Sequence, residues 1–278
     1  MNAPENQRPE TFFNSLARRQ KSLRSKLCIG LDPDLKLIPT RFKTSSYPIF
    51  DFNKAIIDAT HDVAACFKPQ IAHYSSEGAE EELLATIECM KELNIPVLLD
   101  AKRGDVGSTA EKYARELFER YGADAITVNP YLGGDSMQPY LDYKDKGVFI
   151  LCRTSNPGGA DLQNIILDGG ETLYQYVARL AKERWNANNN VGLVVGATRP
   201  NEIKKVRKIC AGMTFLLPGV GAQGAKIKEM MTAGQGGGIL VSSSRAILYA
   251  GNEVDFPEKV RETAVKTRDE INSHSAEL

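Results

Sequence analysis

The chain has no Cys-x-x-Cys pair, only three histidines, and no apolar run long enough to cross a bilayer. Each absence excludes something. The five cysteines, Cys28, Cys66, Cys89, Cys152 and Cys210, are odd in number and lack metal-binding spacing. That argues against a disulfide framework and against a zinc site. Four of them sit in apolar stretches, where a buried free thiol is expected, and a reducing cytosol fits. His61, His73 and His274 match no metal-ligand spacing, so no metal is expected. The opening residues, MNAPENQRPETFF, lack the apolar core of a signal peptide, so the expected location is the cytoplasm. Charge of one sign is not in excess either: 35 Lys and Arg face 35 Asp and Glu. Neither nucleic acid nor a membrane surface is expected as a partner, while a small anion is still permitted by local charge.

What is present is apolar material for a sizeable core, 42% of 278 residues. It recurs as short β-branched or aliphatic runs: Leu27–Asp32, Ala65–Gln70, Pro96–Lys102, Ala125–Pro130, Gly147–Thr154, Val191–Ala197, Thr214–Gly221 and Gly238–Arg245. Most are continuous rather than alternating, as parallel strands buried on both faces require. The segments between them read as helices. After the third strand, Ala110, Tyr113, Ala114, Leu117, Phe118 and Tyr121 share one face, Ser108 and Glu111 suggest a capping box, and Gly122 supplies a stop. Glu77–Leu93 and Glu171–Trp185 have the same pattern, and Thr11–Leu23 predicts an extra helix before the first strand. Eight β-then-α units favour a single (β/α)8 barrel over a doubly wound sheet. The expected domain is 1–278, with mobile tails at 1–10 and 273–278. The polar loop Ser155–Gly170 is long enough to carry function.

Polar residues collect where these strands end: Asp32, Lys68, Asp100, Lys102, Asp105, Asn129, Ser155, Gln223 and Arg245. In a barrel those ends form one mouth. Asp100 and Lys102 are two apart on a strand and so face the same side. A buried ion pair rarely gains stability over apolar packing, so the pair calls for a function. A surface ion pair at a loop is the plainer reading, and it loses ground because Asp105 follows at once and Lys68 ends the preceding strand. Charges alternating through Lys68, Asp100, Lys102 and Asp105 would hold one another ionised and in place.

Lys68 followed by Asp100-x-Lys102-x-x-Asp105 resembles the signature of the orotidine 5'-phosphate decarboxylases. The strings Phe67-Lys68-Pro69-Gln70 and Leu99 to Thr109 are similar to their second, largely bacterial subgroup. The resemblance spans about Leu27 to Ala250. It implies metal- and cofactor-free decarboxylation of orotidine monophosphate to UMP. By the same resemblance, Lys102 donates the proton to C6, Asp100 sits beside the departing carboxylate, and Lys68 bonds a ribose hydroxyl and Asp100. Asp105 and Thr109 would act across a homodimer interface. Val106 stands where many relatives have Ile. Asp32 would accept a ribose hydroxyl, although an Asp-Pro turn is a respectable alternative. Ser155 would bond the pyrimidine amide edge, although Ser, Asn, Pro and Gly are also ordinary turn formers.

The phosphate would be held by Pro218-Gly219-Val220-Gly221-Ala222-Gln223-Gly224 and by Ser242-Ser243-Ser244-Arg245. Loops after the last two strands of such barrels often bind phosphate. Arg245 can grip it bidentately, and Gln223 could close over it. Asn129 is better explained as a turn residue before Pro130.

Three other chemistries compete for the same residues. Metal-dependent sugar-phosphate relatives carry an acidic ligand where Lys68 stands, and a lysine there would repel the metal. A Schiff-base aldolase needs a lysine of lowered pKa, whereas flanking carboxylates raise it. A phosphate-ligand binder without turnover would bind UMP only.

Overall fold

The computed structural model describes residues 10–221, 226–251 and 253–275. All eight expected strands are present: β1 (Leu27–Leu31), β2 (Cys66–Pro69), β3 (Leu98–Arg103), β4 (Ala125–Val128), β5 (Gly147–Arg153), β6 (Val191–Val195), β7 (Gly212–Pro218) and β8 (Gly237–Ser243). They form one parallel sheet in the order β2-β1-β8-β7-β6-β5-β4-β3. The end strands β2 and β3 meet through isolated parallel bridges, Phe67 to Val97 and Gln70 to Asp100. The sheet is thus a barrel with one loosely laced seam. Each strand is followed by a helix: α2 (Pro48–Thr60), α3 (Glu80–Glu92), α4 (Gly107–Arg115), α5 (Gly134–Leu141), α6 (Leu173–Leu180), α7 (Pro200–Ile209), α8 (Ile227–Gly234) and α9 (Phe256–Ser273). This is a (β/α)8 barrel. Among the described residues no helix is long and apolar enough to cross a membrane.

The extra helix, α1 (Phe12–Leu23), is capped by the Thr11 hydroxyl, which accepts from the N–H of Asn14. Its Phe12 and Leu16 are buried in one apolar cluster with Cys28, Cys66, Leu98, Ala125, Phe149, Val194, Leu216 and Leu240, one residue from each strand. The helix therefore closes the floor of the barrel. Phe12, Phe13 and Phe149 meet edge to face there, with ring centroids 5.2 to 6.1 Å apart. Burying a side chain of this size stabilises by roughly 1.5–3 kcal/mol. A larger cluster lies between the outer face of the strands and the helices.

One helix expectation needs correction. Ser108 and Glu111 make no capping box. The chain enters α4 from an extended Val106 with no side-chain cap, which places Ser108 inside the first turn. A reciprocal cap occurs instead on α6, between Thr172 and Gln175. Both α4 and α6 widen at their ends into a π-helical turn, Glu116–Arg120 and Ala181–Trp185. Gly122 then takes the left-handed conformation (φ 68°) that stops the first of these, as expected. The last helix, α9, runs through Ser273, with Val260, Ala264 and Ile271 buried along it.

Buried charge away from the mouth is handled without acids. Arg207 of α7 is almost fully enclosed and donates to the carbonyls of Cys210, Met213, Gly234 and Gly238. Its guanidinium lies 3.6 Å from the Phe215 ring centroid. Burial lowers its pKa to about 10. The five cysteines are free, four of them buried.

Candidate active site

The charges predicted at the strand ends converge on one cleft of about 250 Å3, lined by Asp32, Lys68, Gln70, Asp100, Lys102, Pro218 to Val220, Ser242, Ser244 and Arg245. Its centre is Asp100. One carboxylate oxygen accepts from Lys68 Nζ at 3.1 Å. The other accepts from Lys102 Nζ at 2.7 Å and from the Thr127 hydroxyl at 2.7 Å. Lys68 and Asp100 are buried, whereas the Lys102 side chain is 45% exposed and faces the opening.

Burial opposes ionisation of both buried groups, and their neighbours override it. For Lys68, the carboxylates of Asp32 and Asp100 hold the ammonium pKa well above its ordinary value. For Asp100, Lys68, Lys102 and the hydrogen bonds from Lys102 and Thr127 hold the carboxyl well below the carboxylate range. Lys68 and Asp100 are therefore both charged at neutral pH.

Asp32 completes the row. One of its carboxylate oxygens lies 3.9 Å from Lys68 Nζ and has no hydrogen-bond partner in the protein. It caps no helix, so the turn alternative does not account for its carboxylate. An open, buried acceptor beside a lysine suits a ligand hydroxyl. The backbone comes close here because position 30 is glycine: a Cβ there would sit 1.9 Å from Ser244 Oγ. Lys68, Lys102 and Arg245 against Asp32 and Asp100 leave the cleft one net positive charge, which suits an anion.

Of the residues expected to hold the phosphate, Pro218 to Val220, Ser242, Ser244 and Arg245 line the same cleft. Gly219 (φ 115°) and Gly221 (φ 87°) take left-handed backbone after β7, and Arg245 opens a helical turn after β8. Gln223 lies outside the described residues. Ser155 is half-buried beside β6, where a Cβ on Gly196 would meet it at 2.8 Å, and it does not line the cleft. Asp105 and Thr109 are also outside the cleft within one chain. The Asp105 carboxylate accepts the N–H of Val106 at 2.8 Å, and Thr109 is exposed. Asn129 accepts the N–H of Tyr131 at 3.0 Å, as a turn residue should. Among the described residues no three His, Cys, Asp or Glu side chains gather as a metal-ligand set.

Sequence reasoning missed Thr127, a buried β4 residue bonded to Asp100 and to the backbone of Lys102. It also missed the tie that shapes the Ser155 loop. Arg153, the largest fully buried side chain, donates to the Thr154 carbonyl at 2.7 Å and to Gln163 at 3.0 Å. Gln163 in turn accepts the N–H of Thr154 at 2.9 Å. An arginine ending an apolar strand was the available signal.

The sequence profile of the Orotidine 5'-phosphate decarboxylase / HUMPS family matches residues 25–259. The chain is 52% identical over 271 residues to an orotidine 5'-phosphate decarboxylase of Janthinobacterium sp. (strain Marseille), covering 96% of this chain and all of that relative. Among solved structures, Leishmania donovani OMP decarboxylase superposes with a TM-score of 0.82 at 39% identity, covering 95% of this chain and 98% of that one. The Methanocaldococcus jannaschii orotidine 5'-monophosphate decarboxylase, solved with the inhibitor BMP, gives 0.67 at 25% identity, covering 89% and 99%. Fold, charge row and sequence agree over nearly the whole length, and the chain belongs to the orotidine 5'-phosphate decarboxylase family.

Proposed function

We propose that the cleft decarboxylates orotidine monophosphate to UMP and CO2 without metal or cofactor, with Lys102 as the proton donor to C6. The observation that carries this is the ammonium of Lys102, 2.7 Å from Asp100 and facing the opening. Loss of CO2 breaks the bond between C6 and the carboxyl carbon and leaves its electron pair on C6. A fixed ammonium stabilises that charge as it develops, then transfers a proton to it. No electrons are needed from elsewhere, and solvent returns the proton to Lys102. The charges act more strongly in a cleft than in open water.

Substrate grip divides around this centre. Lys68 and the open oxygen of Asp32 take ribose hydroxyls. Arg245 and the N–H groups after β7 take the phosphate, with Gln223 closing over it. Ser155 takes the pyrimidine amide edge from a loop that Arg153 and Gln163 hold in place. Asp105 and Thr109 complete the cleft of a second copy, which makes the active form a homodimer. Their position outside the cleft of their own chain, on the exposed stretch after β3, supports this.

An ultraviolet assay with orotidine monophosphate and EDTA tests the reaction. Conversion to UMP is expected, and inactivity of folded protein rescued by a divalent metal would favour the sugar-phosphate rival. Binding of UMP without turnover would favour the inert binder. Mixing inactive Asp105→Ala and Lys102→Ala chains should restore activity through one intact shared site. No recovery in mixed dimers would place catalysis within single chains.

A further inference from the structure

The β3–β4 ladder is irregular at the site. Leu99 pairs with Ile126 and Arg103 with Val128, so β3 takes four residue steps where β4 takes two. Inside this bulge Lys102 has φ 47°, a left-handed conformation that a residue with a Cβ rarely adopts. Its N–H has lost its place in the ladder and donates to the Thr127 hydroxyl oxygen at 2.9 Å. The hydroxyl hydrogen goes to the oxygen of Asp100 that also receives Lys102 Nζ.

We propose that Thr127 is a positioning residue for the reaction, one hydroxyl fixing both the backbone of Lys102 and the carboxylate that aims its ammonium. This rests on the reading of Lys102 as the proton donor. Thr127 is 1% exposed, and a hydroxyl buried that deeply is costly unless both its donor and its acceptor capacity are used. Both are used here, on the two residues nearest the chemistry. Packing alone would be served by valine, which has the same shape and the same preference for strands. With Lys68 on its second oxygen, Asp100 has three donors and cannot turn, so the direction of Lys102 is set from both ends. Lysine held this way is preorganised for the charge that appears on C6.

Thr127→Val, Thr127→Ser and Lys102→Ala, assayed side by side, test the proposal. Thr127→Val is expected to lower kcat about 10- to 100-fold with KM changed less than about 3-fold, since it disturbs the proton donor and not the substrate grip. Thr127→Ser, which keeps the hydroxyl, is expected to recover most of that loss. In Thr127→Val the acid limb of the kcat/KM profile should move to higher pH. Asp100 then loses a donor while Lys68, Lys102 and Asp32 still face it. If Thr127→Val does not fold, Thr127→Cys keeps the volume with a weak donor and should show the same fall in kcat. A normal kcat in Thr127→Val beside an inactive Lys102→Ala would overturn the role of Thr127 alone. So would Thr127→Ser as impaired as Thr127→Val. Full activity in Lys102→Ala would overturn the reading beneath it, and the proposal with it.

Discussion

Two residues along β2 separate Cys66, in the apolar floor, from Lys68, in the charged cleft; two along β3 separate Leu98 from Asp100. Residues two apart on a strand share a face, so single inward columns change from oil to charge over one step. At the floor every strand contributes an apolar residue and α1 lies across them. At the mouth an acceptor of Asp32 is open and Lys102 is bent into left-handed backbone. Neither mouth feature would persist in isolation. The lesson is that stability and strain are housed at opposite ends of the same strands, close enough for one to hold the other.

The sharpest break between the two ends should come from Lys102→Ala. Its kcat should fall by at least ~10²-fold, while thermal melting moves by no more than about 2 °C, because the side chain is 45% exposed. A collapse of the fold would erase the distinction. The reverse is expected of Phe149→Ala at the floor. It should cost about 3–5 kcal/mol in denaturant unfolding, while the molecules that stay folded keep their kcat.

Asp100 couples charge at the mouth to stability through pH. Its carboxyl is held below the ordinary value of 3.8, so its stabilising contribution is complete above that value. The contribution is lost as pH falls toward the lower folded-state value. Unfolding measured from about pH 6 down to about pH 2 should show wild type losing on the order of 1–3 kcal/mol more than Asp100→Asn. Equal losses would mean that the mouth adds nothing to acid stability. The smallest effect is expected from the exposed Arg245: Arg245→Ala should raise KM about 10-fold through the lost phosphate contact, with unchanged melting.

Much of this was legible because buried parallel strands write themselves as continuous apolar runs, and because Lys68, Asp100 and Lys102 interrupt such runs where no packing reason exists. Thr127 was not, since threonine is an ordinary strand residue and only its two partners give it away. Arg153 and Gln163 are ten apart through a loop, a distance no local period encodes. The capping box failed because a matching spacing does not dictate where the chain turns into the helix, and at Val106 it turned two residues early.

The floor also has a consequence in time. On the ribosome α1 is made before any strand, yet its apolar cluster includes Leu240 of β8, the last strand synthesised. Phe12 and Leu16 must therefore wait, partly uncovered, through the synthesis of more than two hundred residues. Closure of the floor is a late event in the birth of the molecule, and the helix that appears first is among the last to come to rest.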